Sequence, residues 1–250
     1  MSQKRFLYTF DNDNFAIQLY NPETDQEGSL KVLKEGFLQH ENICIAVGLN
    51  ASEETQGQRD VAKLFEANLS DGISLVARYL PTNEIVGFSI NKIHSRPLPG
   101  TPSFLEEFCK NNKLVAESRN IIKFLEFADG KIDLFEKFNT ECFFECVFLA
   151  SLPEFRGRKI AYHLVEHTVK LAKDIVAGNY PETIDENLKG KKPKIVFAIW
   201  TSKYSAKIGE KLGFIPLDRI PFANLKSIGI SSVEKIPPEH THCILGAVEI

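Results

Sequence analysis

The sequence predicts an α/β protein built as one domain around a mixed β-sheet, and three observations lead to this prediction. Short runs rich in Val, Ile and Phe alternate with longer amphipathic segments along the 250 residues. Hydrophobic residues make up 43% of the chain and charged residues 25%, which is ordinary for a folded globular protein. No internal repeat, low-complexity tract or linker interrupts the sequence. We therefore expect a single domain over residues 1–250.

The first part of the chain is expected to form a strand, a helix, a loop, a second helix and a β-hairpin. Asn21 or Thr24 can cap the first helix, and Pro22 suits its first turn. The hairpin strands are rich in Val, Ile and Phe and flank a short turn, "PTN". In chain order these segments are residues 14–20, 21–39, 40–52, 52–69, 74–80 and 84–93.

Residues 94–140 are predicted to be a helical insertion between the third and fourth predicted strands. An irregular stretch, "HSRPLPGTPS", is followed by three short amphipathic segments, "FLEEFCKNN", "RNIIKFLEFADG" and "KIDLFEKFN". The position of the insertion suits a lid or a wall of a substrate site, and simple packing explains it about as well.

The second part of the chain alternates strands and helices. A strand is expected at 141–152, a helix behind Arg158, a strand at 194–200, a helix at 201–214 and a strand at 241–250. Residues 178–193 are polar and predict a loop. Thr201 or Ser202 can cap the helix at 201–214, and Gly213 can end it.

Composition argues against several classes of partner. The net charge is −3, so no strongly basic surface draws the chain to nucleic acid or anionic lipid. The five cysteines are too few for a disulfide framework, and Cys142 and Cys146 are interpreted as buried apolar residues rather than metal ligands. The N-terminus shows no signal-peptide core, and no apolar run is long enough to span a bilayer. We expect a cytoplasmic protein with no metal.

One turn carries a pattern typical of anion binding. In "LPEFRGRKIA", residues 152–161, a buried strand ends at a proline and a helix begins behind Arg156, Gly157, Arg158 and Lys159. The free N–H groups and dipole of a helix N-terminus favour phosphate. The sequence therefore predicts a phosphate-binding turn.

At this turn the sequence resembles the GNAT superfamily of acyl-CoA-dependent N-acyltransferases, and in particular the insect arylalkylamine N-acetyltransferases. Arg156 and Ala161 match the first and last positions of that family's pyrophosphate-binding pattern, Arg/Gln-x-x-Gly-x-Gly/Ala, and Lys159 stands where the family usually has glycine. "TSKYSAKIGEKLGF" (201–214), "GKIDLFEKF" and "GFLQHEN" (36–42) are also similar. The resemblance implies a mainly antiparallel central sheet flanked by helices.

The resemblance also implies roles for individual residues. Glu41 is expected to be the general base, with neighbouring His40 as a rival because of its ordinary pKa. Thr201 and Ser205 are expected on the thiol side, with Tyr204 as a second candidate for the acid. The strand backbone is expected to bind the thioester and pantetheine, and the turn to bind phosphate. The residues that the resemblance implies for acetyl-CoA binding are Val147, Phe148, Leu149, Phe155, Arg156, Gly157, Arg158, Lys159, Ile160, Ala161 and Ser205.

The implied activity is transfer of an acetyl group from acetyl-CoA to an arylalkylamine such as dopamine, tyramine, octopamine or serotonin. Two alternatives remain open. The same chemistry could act on a polyamine, agmatine, a hydrazine or an amino acid, and Glu106, Glu107 or Glu117 of the insertion could then bind a second cation. A protein that binds acyl-CoA without catalysis is the other alternative. Donors with longer acyl chains are also open, and we expect a monomer.

Overall fold

The computed structural model describes residues 7–250, which form one sheet with helices on both faces. In the described chain the sheet has eight strands in the order β1-β2-β3-β4-β5-β6-β8-β7. Neighbouring strands are antiparallel except for β5 and β6, which are parallel. The strands are β1 Tyr8–Phe10, β2 Phe15–Leu19, β3 Leu75–Tyr79, β4 Glu84–Ser95, β5 Cys142–Ser151, β6 Ile195–Trp200, β7 Ile215–Pro221 and β8 His242–Glu249. The expected mixed, mainly antiparallel sheet is confirmed.

The α-helices follow the predicted order, with one addition near the start. They are α1 Pro22–Lys31, α2 Asn42–Val47, α3 Gln56–Asn68, α4 Phe104–Asn111, α5 Ala116–Asp129, α6 Leu134–Lys137, α7 Ile160–Val176 and α8 Lys203–Lys211. Phe65 of α3 packs against Phe88 of β4, and Thr168 of α7 lies 2.9 Å from Ser89 Oγ. Because successive strand residues face opposite ways, α3 and α7 cover opposite faces of the sheet.

The segment at 21–39 is helical as predicted, but it changes type part of the way along. The Asn21 side chain caps α1 by accepting a hydrogen bond from Glu23 N, so Asn21 rather than Thr24 is the cap. The helix continues as a π-helix over Val32–Leu38. A side chain at Gly36 would meet Ser151 O of β5, because an ideal Cβ there lies only 2.8 Å from that oxygen. The absence of a side chain lets the π-helix touch the end of β5.

Three predictions about local structure need correction. Residues 40–52 were expected to be a loop, but Asn42–Val47 form helix α2. The loop prediction was wrong because α2 is short and its cap is a glutamate, which is not among the usual N-cap residues. Strands β1 and β7 were not predicted. β1 has only three residues, and β7 carries two prolines that hid its pattern.

The insertion predicted at 94–140 forms α4, α5 and α6 and is attached to the rest of the fold. Asp60 of α3 accepts hydrogen bonds from Ser118 Oγ (2.7 Å) and Val115 N (3.1 Å) at the start of α5. Helix α5 packs against α2 and α3. The insertion is therefore part of the helical layer on the α3 face. Among the described residues, no helix is both long and apolar enough to cross a membrane.

A buried ion pair fixes α1 to the sheet. Arg78 of β3 and Asp25 of α1 pair with side-chain exposures of 3% and 0%. Arg78 also donates to Gln18 Oε1 and to the carbonyl of Asn83, and Asp25 accepts from Asn21 N at the start of α1. The pair therefore satisfies backbone as well as side-chain groups.

We predict that Arg78→Leu lowers the free energy of unfolding by about 3–5 kcal/mol, because it leaves Asp25 as a buried, unpaired charge. Urea denaturation measures the change. Arg59→Leu is the matched control, since Arg59 pairs with Glu54 at the surface and should cost no more than about 1 kcal/mol. Equal losses in the two variants would contradict the prediction.

Candidate active site

Strands β5 and β6 separate part of the way along their length. They are in register only at Phe144–Val196, Glu145–Phe197 and Cys146–Ala198. On the other side, β5 pairs with β4 along its length, with a register shift that leaves Val147 as an extra, bulged residue. A bulge bends its strand. In the described sheet, β5 beyond Cys146 therefore has an edge with no β6 residue opposite it.

A cavity of about 100 Å³ lies at this separation. The sheet provides its floor, and α2, α3, α5 and the π-helix close it from the α3 face. Among the described residues that line it, two are carboxylates, Glu41 and Glu145, and none is Lys, Arg or His. The lining is Phe37, Glu41, Ile43, Cys44, Val61, Ile121, Phe124, Leu125, Glu145, Cys146, Val147, Phe148, Leu149, Ala198, Ile199, Trp200, Thr201 and Ser205. The cavity is therefore apolar with acidic groups, which suits a small cation that has an apolar body.

Glu41 lies in this cavity and is also the N-cap of α2. Its two carboxylate oxygens accept hydrogen bonds from Ile43 N at 2.9 Å and Cys44 N at 2.7 Å. Such charge-assisted bonds fix the carboxylate in one position. Burial, together with the Glu41 carboxylate, raises the pKa of the Cys44 thiol well above its usual value. The resemblance pointed to Glu41 as a base, and the structure adds a capping role.

His40, the rival base, is not among the residues that line the cavity. Partial burial and the nearby Arg156 cation lower the pKa of His40. His40 therefore lies near the cationic turn at 156–159 rather than in the acidic cavity.

The start of α8 brings two of the three predicted thiol-side residues to the cavity. Thr201 and Ser205 line it, and Asn42 Nδ2 of α2 donates to the Thr201 carbonyl at 2.6 Å. Ser202 rather than Thr201 caps α8, because Ser202 Oγ accepts from Ser205 N at 3.1 Å. Ser205 Oγ in turn lies 3.1 Å from the Ser202 carbonyl, to which it donates.

Tyr204 is placed differently from the other candidates. Its side chain is 59% exposed, it meets the His240 ring edge-on with a centroid distance of 5.4 Å, and it does not line the cavity. One residue's offset on a helix rotates the side chain by roughly 100° away from Ser205, which explains the separation. The structure therefore does not bring Tyr204 together with Glu41 and Ser205.

The three β5 residues predicted to bind the thioester all line the cavity. The Phe148 side chain packs edge-on against Phe37 and Phe65, with ring centroids 5.1 and 5.7 Å apart. Val147 and Leu149 are half-buried. Beyond Cys146 the β5 edge towards β6 has no ladder partner among the described residues, so those backbone groups of this stretch that point to the gap are available there while the side chains fill the core.

The predicted phosphate-binding turn is an exposed, cationic helix start. A 3₁₀ turn at Pro153–Phe155 leads through Arg156, Gly157, Arg158 and Lys159, all exposed, to the buried Ile160 at the start of α7 and then to Ala161. In the described chain no side chain caps α7, so no side chain accepts a hydrogen bond from the first N–H groups of this 17-residue helix. Arg158 Nη1 lies 3.2 Å from Asp11 Oδ2. Phe155 packs against Tyr79 and Phe15, so only its backbone is available at the turn.

Lys159 stands at the N-cap of α7 with a φ of +62°. This left-handed conformation costs a residue with a Cβ roughly 1–2 kcal/mol. The glycine that the resembled pattern has at this position adopts such a conformation without that cost. The departure at Lys159 therefore introduces backbone strain at the turn and adds a cation there.

Sequence reasoning missed Glu145 and the three α5 residues of the cavity, Ile121, Phe124 and Leu125. A signal for Glu145 was present, because it is the one charged residue in "CFFECVFLA" and a charge in a buried strand needs a reason. The insertion acids Glu106, Glu107 and Glu117 do not line the cavity, and the Glu106 side chain is used to cap α4.

The strand order, the single parallel pair and the separation of that pair define the fold of the GNAT N-acetyltransferases, and the chain has this fold. No protein-family model matches the sequence.

Solved structures of insect enzymes have a similar fold at low sequence identity. Arylalkylamine N-acetyltransferase 2 from Aedes aegypti is 21% identical over 95% of this chain and 99% of its own, with a TM-score of 0.75. The mosquito arylalkylamine N-acetyltransferase like 5b is 17% identical over 94% and 100%, also with a TM-score of 0.75. A Drosophila melanogaster polyamine N-acetyltransferase that catalyses the formation of N-acetylagmatine is 17% identical over 94% and 100%, with a TM-score of 0.71.

We predict that Lys159→Gly raises the free energy of unfolding by about 0.5–1 kcal/mol, because removing the Cβ relieves the left-handed strain. Thermal or urea unfolding checks the change. The control is Lys170→Gly, at an exposed helical position of α7, which should destabilise by about 0.5–1 kcal/mol. A loss of stability in both variants would contradict the strain at Lys159.

Proposed function

We propose that the protein transfers an acetyl group from acetyl-CoA to the primary amine of an arylalkylamine of the dopamine, tyramine, octopamine or serotonin class. The observation that carries the proposal is the acidic, largely apolar cavity where β5 and β6 separate. The cationic start of α7 follows the C-terminal end of the same strand, β5. A thioester held along β5 would therefore have phosphate sites at one end and an amine-binding cavity at the other.

The residues present suit the phosphates of acetyl-CoA. The uncapped N-terminus of α7 offers backbone donors, and Arg156, Arg158 and Lys159 add three exposed cations around it. The backbone of Val147, Phe148 and Leu149 would hydrogen-bond the pantetheine and polarise the thioester carbonyl. Thr201 and Ser205 would lie near the sulfur.

The chemistry assigned to the cavity is direct transfer. Glu41 attracts the ammonium form of the acceptor and takes its proton. The neutral amine nitrogen then attacks the thioester carbon, the new C–N bond forms, and the C–S bond breaks with its electron pair leaving on sulfur. As the amide forms, the nitrogen loses its second proton, and a hydroxyl of Ser205 or Thr201 relays this proton to the thiolate, which leaves as the thiol. No covalent enzyme intermediate is required.

The aromatic part of the acceptor has apolar surroundings in the cavity. Phe37, Phe124 and Phe148 line it together with aliphatic side chains from α3 and α5. A flat ring gains from burial against such side chains. The acceptor amines of the insect enzymes with this fold include arylalkylamines and agmatine, and the aromatic lining favours the former here.

The first test is thiol release from acetyl-CoA with dopamine, tyramine, serotonin, agmatine, spermidine and an amino acid as acceptors, beside a thermal-shift titration with CoA. Turnover confined to the arylalkylamines is the expected result. CoA stabilisation without turnover on any of these amines would reject the proposed acceptor class and favour a protein that binds CoA without this catalysis.

We predict that Glu41→Gln lowers kcat/KM for the preferred amine about 10²–10³-fold, because the amide cannot accept the proton. The stabilisation of the protein by CoA should persist. Asp133→Asn is the control for capping alone, since Asp133 caps α6 by accepting from Glu136 N at 3.0 Å and is not among the cavity residues. An unchanged rate in Glu41→Gln would move the role of base to His40 or to water.

We predict that Arg156→Ala/Arg158→Ala raises the KM for acetyl-CoA about tenfold or more, because charge-assisted phosphate contacts are lost. The KM for the amine should change much less. Lys170→Ala/Lys173→Ala is the matched control, because it removes the same charge from exposed positions farther along α7. Steady-state kinetics with both substrates varied gives the values. An equal rise in both KM values would point to a folding defect.

A further inference from the structure

Glu145 is the second acid of the cavity, and the bulge in β5 determines which way it faces. Before the bulge, Phe143 and Glu145 share one face of the strand. Phe143 stacks on His94 and meets Phe135 of α6, so this is the face covered by the insertion. Cys146 faces the other way, towards Ser89 Oγ at 3.3 Å and α7. The Glu145 side chain therefore lies on the same face as the cavity helices.

Glu145 lies at the closed end of the gap between β5 and β6. It is still in register with Phe197 of β6, two residues before the bulged Val147. The phosphate-binding turn follows the opposite, C-terminal end of β5. If acetyl-CoA reaches Val147 from that turn, the Glu145 end of the cavity remains for the amine substrate. Helix α5 contributes Ile121, Phe124 and Leu125 to the cavity.

Only part of the Glu145 carboxylate is paired within the described chain. His94 Nε2 lies 2.6 Å from Glu145 Oε2 and forms an ion pair with it when the imidazole is protonated, whereas no described group donates to Oε1. Lys92, opposite Glu145 in the β4–β5 register, is paired with Asp71 at 2.8 Å. The Glu145 side chain is only 12% exposed. A carboxylate has about four acceptor positions, and burying them without donors is costly.

We propose that Glu145 is a specificity-determining residue. It accepts a hydrogen bond from a polar group at the end of the amine substrate that lies away from the reacting nitrogen. This inference rests on the proposed acetyl transfer in the same cavity. Glu41 and Glu145 divide the work: Glu41 takes the proton of the reacting amine, and Glu145 binds the other end. The donor is a hydroxyl on an aromatic ring or a second ammonium group, since both place a polar hydrogen opposite a carboxylate.

Two pairs of amines that differ only in the far group test this role. One pair is tyramine and phenethylamine, and the other is 1,4-diaminobutane and butylamine. For each pair the ratio of kcat/KM values is measured in the wild-type protein, Glu145→Leu and Glu145→Gln. We expect Glu145→Leu to lower the ratio for at least one pair about tenfold or more. A site that hydrogen-bonds a polar group of its substrate strongly disfavours the analogue that lacks this group.

The glutamine variant distinguishes the two kinds of donor. Its amide oxygen still accepts from a neutral hydroxyl but no longer attracts a cation, so a tyramine ratio that Gln partly retains indicates a phenol donor. A diamine ratio that falls equally in Gln and Leu indicates an ammonium donor. Glu141→Gln is the matched control: Glu141 lies just before β5 with its side chain 83% exposed, and both ratios should stay at the wild-type values.

Unchanged ratios for both pairs in Glu145→Leu would overturn the proposal, as would equal losses for both members of each pair. If the wild-type protein acetylates none of these amines, the proposed function fails separately. Calorimetric binding of the same four amines to the CoA complex then supplies the ratios, and loss of the donor preference in Glu145→Leu still decides the role of Glu145.

Discussion

The separation of β5 from β6 is the constraint on which the rest of the site depends. Three registered pairs hold the strands together, and the bulge at Val147 then turns β5 away. A continuous sheet would use every N–H and C=O group on that edge for its own ladder. Because the ladder stops, backbone groups and a cavity appear at the same place. Helices on both faces leave this gap as the natural position for an extended ligand.

Two helix starts near the gap have opposite electrostatic arrangements. The N-terminus of α2 is satisfied within the chain, since Glu41 accepts from Ile43 N and Cys44 N. The N-terminus of α7 is left without a side-chain cap and is surrounded by cations. The first arrangement stores a negative charge in a fixed place, and the second can receive one from outside. The N-terminal dipole of a helix therefore accounts for a fixed negative charge at one helix start and for an open, positively charged surface at the other.

The sequence predicted the order of the large elements because their apolar periodicity is strong. It also predicted an exposed, cationic turn, because Gly157 and its cations stand between a strand and a helix. It could not predict the cavity, whose walls come from β5, α5 and α8, far apart in the chain. The short helix α2 was not predicted, because its N-cap Glu41 was placed in a loop. Glu145 was overlooked because only the bulge at Val147 and the position of α5 show which face it takes.

The contact between Gly36 and Ser151 restricts which residues position 36 can accept. At that point the π-helix that leads to Glu41 and the end of the strand that carries Val147 meet with no side chain between them. A single methyl group would push the two backbones apart and change the spacing between acid and strand edge. Substitutions around the cavity can change which molecule fits, but they cannot restore that spacing. The lining residues can therefore vary, whereas position 36 must remain glycine.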